Sequence, residues 1–221
     1  MIAEILKLAL KALRTNFLPL FLIQLPVGLL VILQNCLEPH FESNPLIALI
    51  ILLPLFSFVS SLCTALTFIA VQSLQTYPKL NFKILKQLSA QTLTKLTATS
   101  FLVAIFFGLG LAALVIPGIY FTAIYLFVPI LVVLNPSQKA FQYLFESKKL
   151  VTQNKKILFS TLLIGLVSFL IEIPLSQAVR LIGENLGASL LIDSFLTMIS
   201  GVFFDCFVIF YFQTLKRKEG A

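Results

Sequence analysis

Residues 96–138 read LTATSFLVAIFFGLGLAALVIPGIYFTAIYLFVPILVVLNPSQ, a run of 43 without one charged side chain. A helix needs about 20 mostly apolar residues to cross ~30 Å of hydrocarbon. No water reaches the backbone there, so its polar groups must pair within the segment, as they do in an α-helix. The run is too long for one crossing and fits two. Near its middle stand Pro117 and Gly118, a turn pair. The spacing therefore predicts a tight helical hairpin of Ala98–Ile116 and Ile119–Leu134, turning at Pro117-Gly118.

Two more uncharged runs lie upstream, 23 residues over 15–37 and 36 residues over 43–78. They predict a crossing over Phe17–Cys36 and a long one over Pro45–Leu74, tilted or reaching past the bilayer. Downstream, Ile157–Val179 is interrupted only by Glu172, and Leu190–Gln213 only by Asp193 and Asp205. Composition agrees: of 221 residues, 59% are apolar and 11% charged. Soluble domains run nearer ~45–50% and ~25%. The expected fold class is an all-α polytopic membrane bundle, one integral membrane domain over 1–221, with six transmembrane helices in three hairpins.

The basic residues test this count. With the N-terminus cytoplasmic, six crossings put Lys7, Lys11, Arg14, Lys79, Lys83, Lys86, Lys95, Lys139, Lys148, Lys149, Lys155, Lys156, Lys216, Arg217 and Lys218 inside. That is 15 of the 16 Lys and Arg, with Arg180 alone outside. The positive-inside rule expects such a bias, and merging the third and fourth helices would send the last cluster outside. The net charge of +7 thus reads as a topological signal, and nucleic acid is excluded as a partner. The stretch after Arg14 is too long for a signal h-region and has no A-x-A-like cleavage site, so the N-terminus is expected to be retained. Cys36, Cys63 and Cys206 form no metal-like cluster and read as free thiols.

A basic segment with helical periodicity precedes each hairpin, giving units over 1–76, 77–135 and 136–221. In the first, Glu4, Lys7, Lys11 and Arg14 make one polar stripe against Ile2, Ile5, Leu6, Ala9 and Leu13, an amphipathic helix suited to the inner interface. In the second, Lys79, Lys83 and Lys86 oppose Leu85, Leu88, Leu93 and Leu96. In the third, Asn135-Pro136 ends a span and Ser137 is the expected N-cap. Phe141, Leu144, Phe145 and Val151 there face away from Lys139, Lys149 and Lys156. These segments make anionic headgroups of the cytoplasmic leaflet the expected partner.

Within the spans, Ser100, Ala104, Gly108 and Ala112 form a small-xxx-small ladder for close helix packing. Pro26, Pro54, Pro129 and Pro174 fall inside spans and are expected to kink them. Asp205 lies ~12 Å from the inner end of its helix, at a depth shared with Gln24 and Thr67, which are positioned to hydrogen-bond it. Glu172 sits ~22 Å from the inner end of the fifth helix, where Glu172, Ser176 and Arg180 share a face. Two intramembrane carboxylates could serve a proton or cation pathway, but ~10 Å of difference in depth separates them. A local structural hydrogen bond is the competing reading. His40, in the expected outer loop Glu38–Glu42, is the only histidine. A solvated loop outweighs a metal site there. No Ser/His or Cys/His pair lies within the membrane and no Gly-rich phosphate loop occurs. Neither a catalytic site nor a cofactor is expected.

The sequence Ile116-Pro117-Gly118-Ile119-Tyr120, then Phe127-Val128-Pro129-Ile130-Leu131-Val132-Val133-Leu134, then Ala140, Ser147 and Leu150-Val151-Thr152-Gln153-Asn154, resembles a bacterial family. This is the six-helix glycerophosphoryl diester phosphodiesterase membrane domain with its stand-alone YciC-like relatives. The resemblance covers residues 116–154, with Lys148 and Lys149 where relatives often carry Arg or Trp. It implies a bacterial cytoplasmic-membrane protein. In fused members the hydrolase chemistry belongs to a separate soluble barrel, so the resemblance implies no enzyme activity. Three functional classes stay open: a scaffold or accessory protein of the envelope, a small transporter or lipid-handling protein using Asp205 and Glu172, and a membrane subunit of a larger transporter complex. A second copy of the chain is a further candidate partner.

Overall fold

Over the described parts of its uncharged runs the chain is mostly helical. The computed structural model describes residues 2–41, 45–74, 88–113, 115–153, 158–163, 166 and 186–219. Eight named helices carry the fold: α1 (Ile2–Ile23), α2 (Leu25–Phe41), α3 (Pro45–Leu74), α4 (Ala90–Ala113), α5 (Val115–Ile124), α6 (Val128–Leu134), α7 (Ala140–Thr152) and α8 (Leu186–Glu219). Residues 158–163 are also helical, and no strand occurs among the described residues.

Among the described residues four segments are long and apolar enough to cross a membrane: Ile51–Leu74, Ala90–Gly110, Pro117–Leu134 and Leu190–Arg217. The pair α1–α2, bent by 51°, qualifies as a fifth if taken as one span. The bundle also turns apolar surface outward. On α4, Phe101, Ile105 and Leu109 are exposed at every fourth position, and Leu18, Leu29, Leu191 and Phe195 are at least half exposed. In water such a surface would be a large unpaid hydration cost; against lipid tails it costs nothing.

Contacts between helices set their directions. Ser57 Oγ donates to the Ser100 carbonyl at 2.9 Å, and Gly108 faces Leu53, so α3 and α4 are antiparallel. Thr64 meets Asp205 and Phe68 meets Phe212 edge-on, so α3 and α8 run parallel. Gln24 meets Asp205 while Gly28 accepts from Ser194 at 2.9 Å, so α2 opposes α8. The C-terminal ends of α3, α6 and α8 converge: Gln72, Leu134, Gln213, Lys216 and Arg217 line one groove. Beside it, Lys11, Thr15 and Asn16 of α1 line a second groove with Leu74 and Phe210. The basic N-terminal helix and the C-terminus of α8 therefore share one end of the bundle.

Several expectations are corrected. In the hairpin of α4 and α5, α4 ends at Ala113 and α5 begins at Val115, so Pro117-Gly118 lies inside the first turn of α5. There the missing proline N–H has no intrahelical partner to lose, so Pro117 starts a helix without breaking one. The tightest approach in this hairpin is at Gly110, where an added Cβ would stand 2.9 Å from the Gly118 backbone nitrogen. The span expected over Ile119–Leu134 is present as Pro117–Leu134, with a turn at Tyr125–Phe127 inside it, ahead of Pro129 in the first turn of α6. The expected crossing over Phe17–Cys36 is not one straight helix either. It bends by 51° between Ile23 and Leu25, and just upstream of it a kink with non-helical backbone falls at Asn16, three residues before Pro19, whose ring collides with the preceding turn; that proline is not among the helix breakers expected from sequence. The loop expected around His40 is helical as far as Phe41.

In α7 the N-cap is Lys139, not Ser137: its backbone N–H donates to Gln142 Oε1 at 2.8 Å. Tyr143, Leu144, Ser147, Leu150 and Val151 form the buried face of α7, while Phe141 and Phe145 are 66% and 70% exposed. Ser147 Oγ donates to the Ile124 carbonyl at 2.7 Å, pinning α7 across the end of α5. In α1, Ile5 and Ala9 are buried whereas Leu6 is exposed, so the apolar face of this helix packs partly on protein. Its stripe of Lys7, Lys11 and Arg14 is exposed, as are Lys139, Lys148 and Lys149. Lys79, Lys83, Lys86, Lys155 and Lys156 lie outside the described residues.

Candidate functional site

Pro26 shapes the polar centre of the bundle. It has no N–H for the Leu22 carbonyl, and its ring would collide with that turn. The helix stops one step earlier: the Gln24 N–H bonds back three residues to the Phe21 carbonyl at 3.0 Å, and α2 restarts at Leu25 with Pro26 in its first turn. Gln24 is left in the 51° bend, 2% exposed, with its amide against α8. The absence of a side chain at Gly201 makes room for it, since a Cβ there would lie 3.2 Å from Gln24 Oε1.

Gln24 Nε2 donates to Asp205 Oδ2 at 2.6 Å. Thr64 Oγ1 of α3 donates to Asp205 Oδ1 at 2.6 Å, and Thr67, one turn along, stands 3.5 Å from Oδ2. Thr64 Oγ1 also lies 3.0 Å from the Ser60 carbonyl. Asp205 is 6% exposed. Two free thiols flank this centre: Cys63 Sγ donates to the Ile23 carbonyl at 3.1 Å, and Cys206 is fully buried. One carboxyl thus gathers donors from the α1–α2 junction and from α3, tying both to α8. Neither of the two grooves is lined by Asp205, Gln24, Thr64 or Thr67.

The arrangement brings together three residues that sequence placed at one depth, Gln24, Thr67 and Asp205. It adds Thr64, which gives a closer bond than Thr67 and was passed over. The signal was present in Thr64-Ala65-Leu66-Thr67, two hydroxyls at helical spacing on one face. Glu172 and Arg180 lie outside the described residues, so the outer patch with Ser176 is not placed. The ladder of small residues faces α3: Ser100 and Ala104 are buried and Gly108 stands against Leu53, while the side chain of Ala112 is outside the described set. Among the described residues no group of three or more His, Cys, Asp or Glu could hold a metal ion.

At the end of the bundle where Asn135-Pro136 leaves α6, the buried hydroxyl of Tyr143 donates to the Asn135 carbonyl. Burial, first, and the nearby Glu146 push this hydroxyl above its ordinary titration range. The contact fixes the angle between α6 and α7. No family model matches the chain, and no curated protein or solved structure is similar enough to match it.

Proposed function

We propose that the protein is a six-crossing protein of the bacterial cytoplasmic membrane with both termini inside, a non-catalytic scaffold or accessory component of the envelope in which Asp205 is an interhelical lock. The observation that carries this reading is the state of Asp205. Its two oxygens accept short bonds from Gln24 and Thr64 in a buried contact of helices. Burying a polar group in lipid-facing protein is costly unless it is partnered, and partnering across helices is what holds them in register. The shared end of Lys11, Leu74 and Lys216 supports the even number of crossings. Distant kinship with the glycerophosphoryl diester phosphodiesterase membrane domain belongs to the proposal and rests on residues 116–154.

A second reading, a small transporter, is favoured by one observation: the helix broken at Gln24 stands directly against the buried carboxyl. Broken helices beside intramembrane carboxylates are how many transporters build ion sites. Asp205→Asn separates the two. Asparagine can still accept from Thr64 and, with Gln24 turned about, keep its second bond, so the lock reading expects normal thermal stability and normal complementation of a deletion strain. The transport reading expects a pH-driven flux in proteoliposomes that Asp205→Asn abolishes while the fold survives. That flux would displace the scaffold reading.

A further inference from the structure

The groove where α3, α6 and α8 end carries chemistry that the lock does not use. Its floor is aromatic and buried, Phe68 and Phe212, and Leu134 stands 41% exposed beside it. Its rim is polar and cationic: Gln72 from α3, and Gln213, Lys216 and Arg217 from α8. Spacings of three and four residues put Gln213, Lys216 and Arg217 on one face of α8. These residues close three candidate spans, Ile51–Leu74, Pro117–Leu134 and Leu190–Arg217. The groove therefore opens at the level where hydrocarbon gives way to headgroups, and charge and apolarity are stacked in that order along it.

We infer that this groove holds one anionic phospholipid, its phosphate between Arg217 and Lys216 and its acyl chain beside Leu134. Guanidinium and phosphate match as a planar fork and its acceptor, and the amide of Gln72 offers donors to the glycerol and phosphate oxygens. The apolar floor excludes a free anion as the better occupant, because a bare phosphate would leave the exposed edge of Leu134 uncovered by anything but water. A peptide is disfavoured by the place of the groove at the lipid boundary. The inference rests on the reading of these helices as membrane spans.

The test titrates the purified full chain with phosphatidylglycerol or phosphatidylcholine and counts bound lipid by native mass spectrometry. One phosphatidylglycerol should be retained in preference to phosphatidylcholine. The double variant Lys216→Gln/Arg217→Gln should weaken it about 30-fold, the loss expected for two basic residues against an anionic headgroup. Lys148→Gln/Lys149→Gln removes the same charge from α7 and should leave it unchanged. An equal loss in that control, equal retention of phosphatidylcholine, or displacement of the lipid by millimolar glycerol phosphate would each overturn the inference. Resistance of the chain to alkaline carbonate extraction, measured separately, tells a failed lipid site from a failed membrane assignment.

Discussion

Replacing Thr64 with valine removes a hydroxyl, keeps the shape, and leaves Asp205 Oδ1 without the donor that now stands 2.6 Å away. Hydrogen bonds to charged groups contribute about 1.5–3 kcal/mol in soluble proteins. Polar pairs between membrane helices average ~0.6 kcal/mol and reach ~1.7, because the unfolded helices also find partners. Asp205 is 6% exposed and the bond is short, so the upper part of that range applies, about 1–1.7 kcal/mol. For a chain of this size the melting temperature should fall by about 2–6 °C. Thr67→Val, whose hydroxyl is 3.5 Å from Oδ2, should cost less than about 0.5 kcal/mol, near the low end for a membrane polar pair. The chain has no tryptophan, but Cys63 and Cys206 are buried beside the lock while Cys36 is exposed. In a Cys36→Ser background a thiol-reactive dye therefore reports unfolding at the site itself. Equal shifts from the two threonines, or no shift from Thr64→Val, would refute the argument that this carboxyl holds α3 to α8.

Gly110→Ala should destabilise by about 1–3 kcal/mol, since the new Cβ meets backbone that cannot step aside; Gly108→Ala meets only the tip of Leu53 and should cost far less in the same melts. Ser100→Ala should be neutral or slightly stabilising, because the Ser100 Oγ is buried without a hydrogen-bond partner and deleting an unpaired buried hydroxyl relieves a cost; a clear drop in melting temperature would contradict this. In native membranes Cys36 should react with maleimide before Cys63 and Cys206 do, as read by mass shift. Reporters fused after Ala221 and before Met1 should both be active only on the cytoplasmic side, and a periplasmic signal from either would break the six-crossing proposal.

The small-residue ladder and the turn pair show how far one dimension of information reaches. Ser100, Ala104 and Gly108 could be read as a packing face because their spacing alone decides which side of a helix they share. The helix they pack on could not be read, and it is α3. Pro117-Gly118 pointed to a hairpin, and α4 does fold back on α5, yet the pair lies inside the first turn of α5. Proline restricts the turn before it while fitting the first turn of a helix, so a sequence marks the neighbourhood of a break more surely than the residue. The same rule placed Pro26 inside a span as a kink, and the chain does bend by 51° just ahead of it; that the bend leaves Gln24 facing Asp205 needed the structure.

Sequence by itself determined the apolar helices, the long α3 over Pro45–Leu74 among them, and the gathering of basic residues at their ends. The solvent enforces those features: hydrocarbon demands about 20 apolar residues per crossing whatever the neighbouring helices are. Tertiary structure alone decided that Thr64 outranks Thr67, that Gly110 makes the closest backbone approach, and that Gln72, Lys216 and Arg217 meet at one groove. Those outcomes depend on the rotation and register of one helix against another. A helix apolar all the way round carries no stripe from which that rotation can be read.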